Sequence, residues 1–451
     1  MIFVILAILA VVLYIYDYKV SALFIFFFYV TSGFNLLPNE IVDIGVPLTK
    51  PTDYAFFILL GIFLIDSIFV KKYLSLDIFT KLLLIFGIYM LLSIVYSKTS
   101  IGLSFSEILR TCRYLFFWVA YFVFRNLTKE QLQGLFKVLF IVTVIASVLY
   151  LFQNVIGKNI LVKTFDYKTS FLGIPMRRFY NQPSMIHFFV IIGCFCNPYS
   201  GIAKRVTNII LITALLGAFH RSVLGCFCIT LIVGYIINLP RLQKIKVAVI
   251  AGVFIFIAAG FIAPKLVGSR TVKDLSTVAS GDIANVEINV EELSDATFTF
   301  RIAHLLERNE YILENPKSMI WGAGLIPEDS KKVDTMFDFK IGLIEELTGN
   351  TIQINSSDIS YSVMILRLGY LGTFLNLLLF IYLMVFFYRH KDNKYGYASF
   401  LYFVFAFGVS FFCDNLLHPI TFLLPLITYY IIKREEENVD IPMKEIHDDE
   451  S

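Results

Sequence analysis

Two groups of basic residues stand where a membrane protein usually carries few of them. One lies between residues 157 and 183 and includes Arg177 and Arg178, and the other is the very short turn that holds Arg221. Both fall on the outer face once the apolar segments described below are placed. Because Lys and Arg normally gather on the cytoplasmic side, their presence here predicts an anionic ligand at the outer leaflet. A simply solvated loop at 157–183 is the alternative.

Three further ionisable residues, Asp66, Arg367 and Asp414, lie inside or at the end of apolar segments. Such groups are costly in a bilayer and usually face the interior of a helical bundle or a wet cavity. Arg367 lies roughly 10 Å below the outer surface at 1.5 Å per residue, and its side chain could instead snorkel outward. Snorkelling is also the simpler interpretation of Arg110 and Arg113, whereas a structural pairing is expected for Asp66.

The sequence lacks the motifs of several common catalytic and binding sites. It contains no nucleotide-binding loop, zinc-ligand spacing, Gly-x-Ser-x-Gly elbow or EF-hand pattern. The net charge of +3 is too small to indicate a nucleic-acid partner, and the six cysteines lie in or beside apolar runs, where packing explains them. No inner loop is long enough for a soluble domain. We therefore expect a substrate from the membrane or the outer face, and neither a metal nor a cofactor.

The composition is that of an integral membrane protein, with 57% hydrophobic and 16% charged residues. Apolar runs of a length suited to a bilayer core of about 30 Å recur along the chain, and each must be a helix because lipid offers the backbone no hydrogen bonds. The sequence therefore predicts an all-α protein with about thirteen transmembrane helices (twelve to fourteen). They are placed near residues 1–16, 19–33, 53–70, 82–96, 109–124, 135–155, 184–196, 205–219, 222–239, 247–263, 360–388, 396–412 and 419–432.

The short loops rich in Lys and Arg all fall on one side if the charged tail is cytoplasmic, so the orientation is self-consistent. Residues 1–263 then form the first ten helices, 264–359 a large loop on the outer face, 360–432 the last three helices and 433–451 the tail. We expect a multi-pass protein of the cytoplasmic (inner) membrane. Its N-terminus, in this arrangement, lies outside.

The large loop has one clear helical pattern, over residues 300–313. Its apolar positions Ile302, Leu305, Leu306 and Ile312/Leu313 follow helical spacing, and Pro316 predicts its end. Arg301, His304 and Arg308, at i, i+3 and i+7, share one side of this helix. The large loop thus carries short amphipathic helices.

The arrangement resembles the O-antigen polymerase and O-antigen ligase superfamily, in which about a dozen spans surround one large outer loop before the last few helices. Locally the resemblance rests on four segments, each weak alone but moderately specific in their order. They are MRRFYNQP at 176–183, FHRS at 219–222, the stretch from Arg301 to WGAG at 321–324, and SSDISY at 356–361 running into LRLGYLG at 366–372. A His–Asn pair that ligases usually carry is replaced here by Ser-Ser-Asp, as in polymerases.

The resemblance implies glycosyl transfer between glycans carried by undecaprenyl pyrophosphate, with inversion at the anomeric carbon. It implies that Arg177, Arg178, Arg221, Arg301 and Arg367 surround the pyrophosphate, since arginine is permanently charged and its fork fits phosphate oxygens. Asp358 and His304 are the candidates for the base that accepts the acceptor proton. Implied partners are the lipid-linked glycans, membrane lipids, a flippase and a chain-length regulator. Anchoring at the membrane interface, or pairing with the acidic loop, is the structural alternative for the arginines.

Two other functions remain open on these residues. A ligase would transfer finished glycan to an acceptor, and His304 could then replace the missing motif histidine in space. A flippase or other transporter of lipid-linked oligosaccharide is the main non-enzymatic alternative. Such folds usually show internal repeats, and the sequence has no matching halves.

Replacing Arg221 by Ala tests the predicted pyrophosphate site. We expect the glycan chains to shorten, because a fixed positive charge that stabilises the leaving group would be lost. The measurement is the size distribution of surface glycan on a gel, with the amount of protein in the membrane matched to wild type. An unchanged chain length would contradict the assignment of Arg221.

Overall fold

The computed structural model describes residues 2–37, 50–69, 77–162, 166–171, 174–218, 220–238, 297–327, 330–337 and 359–439. The predicted span at 247–263, the first third of the large loop and the candidate base Asp358 lie outside these residues. So do residues 440–451 of the tail.

Helices make up most of the described chain. A first set comprises α1 (Ile2–Ile15), α2 (Lys19–Val30), α3 (Pro51–Phe69), α4 (Ile78–Thr99), α5 (Phe105–Phe116), α6 (Ala120–Phe124) and α7 (Lys129–Ile156). Strands β1 (Asp166–Phe171) and β2 (Ile174–Phe179) follow. The rest are α8 (Ile186–Cys196), α9 (Gly201–Leu216), α10 (Arg221–Asn238), α11 (Thr297–Glu314), α12 (Pro316–Trp321), α13 (Lys331–Met336), α14 (Ser360–Arg389), α15 (Lys394–Val409) and α16 (Ile420–Val439).

Four of the described helices, α3, α4, α7 and α14, are long and apolar enough to cross a membrane. Helices α1, α2, α8 and most of α10 are also apolar but shorter. The predicted span at 109–124 is divided among α5, a 3-10 turn at Phe117–Val119 and α6. Helix α16 continues past the predicted span end into the charged residues 433–437. The larger number of about thirteen spans stays a prediction.

Helix α4 shows how these helices meet their surroundings. Seven large apolar side chains on it are exposed, and their spacing forms a stripe along one side: Ile78, Leu84, Ile85, Ile88, Leu91, Leu92 and Val95. The opposite side buries Phe79, Leu83, Phe86, Tyr89 and Met90. An apolar stripe of this length would be unfavourable in water, and hydrocarbon chains are its natural surroundings.

Local sequence sets several of the helix ends. Thr128 caps the start of α7 in a capping box: its side chain accepts the Gln131 N–H, and the Gln131 side chain accepts the Thr128 N–H. Ser104 and Glu107 form the same pair of hydrogen bonds at the start of α5. At its other end α7 stops at Gly157, which adopts the left-handed conformation (φ +70°) and donates its N–H to the Gln153 carbonyl at 2.8 Å. Since Gly157 begins the basic loop, this cap also sets the direction in which that loop leaves the helix.

Helix α14 is interrupted at Gly369, where another segment of backbone packs against it. Gly369 has φ +60° and ψ −171°, so the Leu366 carbonyl is turned out of the helix and accepts a hydrogen bond from the Ala323 N–H at 2.7 Å. A Cβ on Gly322 would lie 2.2 Å from the Leu366 oxygen, and one on Gly369 would lie 2.6 Å from the Ser318 oxygen. Only glycine allows this backbone contact between the WGAG and LRLGYLG segments.

Aromatic residues of α4 also hold this contact. The Trp321 ring stacks on Tyr89 and on Tyr96, with centroids 5.4 and 5.9 Å apart. The Tyr89 hydroxyl shares its proton between the Ile320 carbonyl at 3.0 Å and the Leu368 carbonyl. The loop segment before α13 is thereby fastened to two long helices at once.

Contacts at the other end of the bundle join segments predicted to be cytoplasmic. Glu435 on α16 pairs with Lys129 at 3.2 Å and accepts from Asn393 at 2.7 Å. The next residue, Glu436, contacts His390 at 2.7 Å. Residues 433–437, which begin the predicted tail, are therefore helical and docked on the connections before α7 and after α14.

Substituting Gly369 by Ala should destabilise the protein, because the side chain would need both a strained backbone and the space taken by the Ser318 carbonyl. We expect a cost of about 1–3 kcal/mol from the strain alone, measured as a lower thermal unfolding midpoint in detergent. Gly87 on α4 is the matched control, since a Cβ there would meet nothing within 4 Å. Equal stability of the two variants would contradict the conclusion that the backbone contact between the WGAG and LRLGYLG segments requires glycine at position 369.

Candidate functional site

The basic loop folds into an antiparallel hairpin. In its register Tyr167 pairs with Arg178 and Lys168 with Arg177, so one pair of basic positions lies directly across the ladder. The Arg177 side chain is exposed and donates from Nη1 to the Gly157 carbonyl at 3.0 Å. Both predicted arginines of this segment therefore lie on β2, next to the end of α7.

A buried amide pair ties this loop to α7. The Gln153 amide donates to Asn181 Oδ1 at 2.6 Å, and the Asn181 amide donates to the Val162 carbonyl at 2.6 Å. Gln153 Oε1 in turn accepts the N–H groups of Ile160 and Leu161. Buried amides satisfied in this way define one arrangement. Residues 160–162 and Asn181, at the two ends of the loop, are therefore anchored to α7, while the Arg177 side chain between them is exposed.

The hairpin also contacts the turn that carries Arg221. The rings of Tyr180 and His220 meet edge to face with centroids 5.9 Å apart. Arg221 is the first residue of α10, directly after His220. The first two segments of the resemblance, MRRFYNQP and FHRS, are thus neighbours in space.

The predicted helix of the large loop is present as α11, but a different side of it is buried. His304, Arg308 and Ile312 form the buried stripe, whereas Leu306 is 45% and Leu313 52% exposed. Leu306 and Leu313 follow the predicted helical spacing but do not lie on the buried side. The reason is that α11 packs against the polar start of α14 and against α13, where His304 and Arg308 find partners.

The buried side of α11 binds α14 by polar contacts. His304 Nδ1 lies 2.7 Å from the Ser362 hydroxyl, and Tyr370 donates to the Asn309 side chain. Burial, followed by the positive charge of Arg308, lowers the pKa of His304 to about 3. His304 is consequently neutral near pH 7, and a base of such low pKa is weak. Arg301 lies one turn earlier on the same helix.

Arg308 is completely buried between two different partners. Its guanidinium pairs with Glu307 and lies 4.1 Å from the centroid of the Phe337 ring on the residue after α13. A charge at such depth is tolerated when it is paired and stacked. Arg308 therefore joins α11 to α13.

Apart from the polar contacts of α11, a second set of polar residues lies near Arg367. Its Nε donates to the Ile326 carbonyl at 3.2 Å, and its charge acts on Asp414 at the end of α15. Asp414 Oδ2 lies 3.1 Å from Nε2 of His418, four residues later. Arg367, Asp414 and His418, with the neighbouring His187 of α8, are called the outer cluster below, because they lie in the half of the bundle predicted to face outward.

Charges within the outer cluster stabilise one another. Burial alone would raise the pKa of Asp414, but the charge and hydrogen bond of His418, with Arg367 beyond, lower it. The charge of Asp414, together with the hydrogen bond between the two side chains, raises the pKa of His418. His187 interacts electrostatically with His418, and the Tyr114 ring of α5 lies 6.4 Å from the His418 ring.

Two of these residues, His418 and His187, were missed in the sequence. The available signal for His418 was its i, i+4 spacing from Asp414 at the end of an apolar run. His187 gave none, because a lone histidine in an apolar helix has no sequence pattern. The structure thus places Arg177 on the hairpin and Arg221 directly after the turn that contacts it. It places His304 against the start of α14 and Arg367 two turns into the same helix. Helix α8, which carries His187, follows the hairpin and reaches the outer cluster.

Two other ionisable residues have structural partners. Arg113 is buried and pairs with Asp53 of α3 at 2.6 Å, so the snorkelling interpretation of this residue was wrong. Asp66 accepts from the Tyr14 hydroxyl at 2.7 Å and from the Asn126 amide at 2.9 Å, which confirms the structural pairing expected for it. The sequence could not supply these partners, which come from other helices.

Comparison with known proteins gives no assignment. A scan against models of protein families finds none that matches this chain, and a search of curated proteins finds no match either.

Replacing Asn181 by Ala should loosen the basic loop. The buried Gln153 amide would lose its hydrogen-bond partner, which should lower the stability of the loop anchor by about 1–3 kcal/mol. Each 1.4 kcal/mol lost makes local opening of the loop roughly tenfold more frequent. Limited trypsin digestion of the full protein measures this as faster cleavage within residues 157–183. Asn197→Ala, which removes an amide bonded to Thr207 and Asn208, is the control. Equal cleavage of both variants would contradict the anchor.

Proposed function

We propose that the protein is a glycosyltransferase that polymerises oligosaccharide repeat units carried on undecaprenyl pyrophosphate, at the outer face of the cytoplasmic membrane. The outer cluster is the observation that carries the proposal. An arginine, an acid–histidine pair and a second histidine meet at one end of a bundle whose long helices are apolar. Ionisable groups at such a position mark functional sites in membrane proteins.

The contacts among the four family-like segments support the same function. MRRFYNQP touches FHRS through Tyr180 and His220, and WGAG interlocks with LRLGYLG through Gly322 and Gly369. Segments that resemble a family only weakly in sequence are therefore joined in pairs by specific contacts. A transporter function would not require the Gly322–Gly369 backbone contact together with an acid–histidine pair.

In the proposed reaction a hydroxyl of one lipid-linked repeat unit attacks the anomeric carbon of the growing chain, and undecaprenyl pyrophosphate leaves. The departing group carries growing negative charge, which fixed arginines stabilise best in a site with little water. Arg177, Arg178, Arg221, Arg301 and Arg367 remain the proposed set, contributed by the hairpin, the head of α10, α11 and α14. The proposed partners are those of the resemblance: lipid-linked glycans, a flippase and a chain-length regulator.

Deletion of the gene in its host tests the function directly. We expect the ladder of long glycans to vanish on a gel while single repeat units still reach the surface acceptor, because only their joining is lost. Expression of the gene in the deleted strain, which should restore the ladder, is the control. Full-length polymer accumulating on the lipid carrier would instead identify a ligase, and an intact ladder would contradict both enzymes.

A further inference from the structure

The acid–histidine pair of the outer cluster is held in a fixed turn. Asp414 and His418 flank the 3-10 turn Asn415–Leu417, in which the Leu417 N–H donates to the Asp414 carbonyl at 2.9 Å. The His418 N–H donates to the Asn415 carbonyl at 3.1 Å, and the Thr421 N–H donates to the His418 carbonyl at 3.0 Å. The backbone thus fixes both ends of the pair between α15 and α16.

The ring of His418 is both oriented and accessible. Its Nε2 lies 3.1 Å from Asp414 Oδ2, and the side chain of His418 is 55% exposed while that of Asp414 is 32% exposed. A carboxylate at this distance favours the tautomer that carries its proton on Nε2. In the neutral ring Nδ1 then has the lone pair. This is the arrangement required of a general base whose partner holds it in one orientation.

Two other described histidines near the predicted outer ends, His304 and His187, suit this role less well. His304 is buried against Ser362, and its low pKa makes it a weak base. His187 is half-buried within α8 and has no carboxylate among its interactions. His418 also has an arginine next to its carboxylate partner, because Arg367 acts on Asp414. The charge of a proposed pyrophosphate ligand therefore acts on the carboxylate that orients the proposed base.

We propose that His418 is the general base of the reaction and that Asp414 is its positioning residue. The inference rests on the proposed glycosyl transfer and names a group for it. As the acceptor oxygen bonds to the anomeric carbon, its proton passes to His418 Nδ1. The bond from that carbon to the pyrophosphate oxygen breaks, and the electron pair leaves with the lipid pyrophosphate. The resulting imidazolium is stabilised by Asp414 and then returns its proton to water.

The experiment uses membranes that contain the full-length protein, supplied with lipid-linked repeat units extracted from the gene-deleted strain. Elongation is measured from about pH 6 to pH 9, a range that includes the titration of a histidine. His418→Gln should lower the rate about 10²–10⁴-fold, as expected for loss of a general base. His390→Gln is the matched control, because His390 also pairs with a carboxylate but at the opposite end of α14.

The pH profile separates a base from a structural residue. His418 works only when neutral, so the wild-type rate should rise with pH through its pKa, which Asp414 raises. The titratable or charged neighbours are Arg367, His187 and Tyr114 on α14, α8 and α5. Asp414→Asn removes the carboxylate charge, so the midpoint should move to lower pH and the plateau should fall. A merely structural pair would leave the midpoint unchanged.

Each outcome decides between the proposals. A wild-type protein that makes no polymer from the extracted repeat units would overturn the proposed function itself. A wild-type protein that polymerises, with His418→Gln equally active at equal protein amount, would overturn only the role of His418. If His418→Gln is absent from the membrane, the Asp414→Asn profile decides, and an unshifted midpoint overturns the role.

Discussion

The backbone contact between Gly322 and Gly369 is the constraint on which the rest of the outer end depends. It requires two glycines at left-handed φ values and leaves no space for a Cβ on either side. The break in α14 turns the Leu366 carbonyl toward Ala323. That contact fixes where Ile326 lies, and Ile326 supplies the carbonyl that receives Arg367. A small backbone irregularity at Gly369 thus contributes to positioning the charged side chain of Arg367, two residues earlier.

The outer end is assembled from segments that are distant in the chain. Helix α11 is joined to α14 by His304 and Ser362, and to α13 by Arg308 and Phe337. The hairpin is joined to α7 by Gln153 and Asn181. Each of these contacts buries a polar or charged group with a specific partner. Such contacts define a single arrangement more sharply than apolar packing does, which suits a site that must hold charges in fixed positions.

The opposite ends of the helices follow a different rule. There the contacts are pairs between acidic residues of α16 and basic or amide residues of neighbouring connections, such as Glu435 with Lys129. Partly exposed pairs of this kind contribute little stability each. They agree with the orientation predicted from Lys and Arg, since the segments that meet were all assigned to one side. The chemistry proposed for the protein lies at the other end.

The sequence by itself determined the predominantly helical class, the apolar segments and a helix over residues 300–313, because these features are local in composition and spacing. It could not determine which side of α11 is buried, since the partners of His304 and Arg308 belong to other segments. It also gave no reason to pair Arg113 with Asp53, or Arg367 with Asp414 and His418. Only the tertiary structure decides such matters, because burial and charge pairing depend on contacts between residues far apart in the chain.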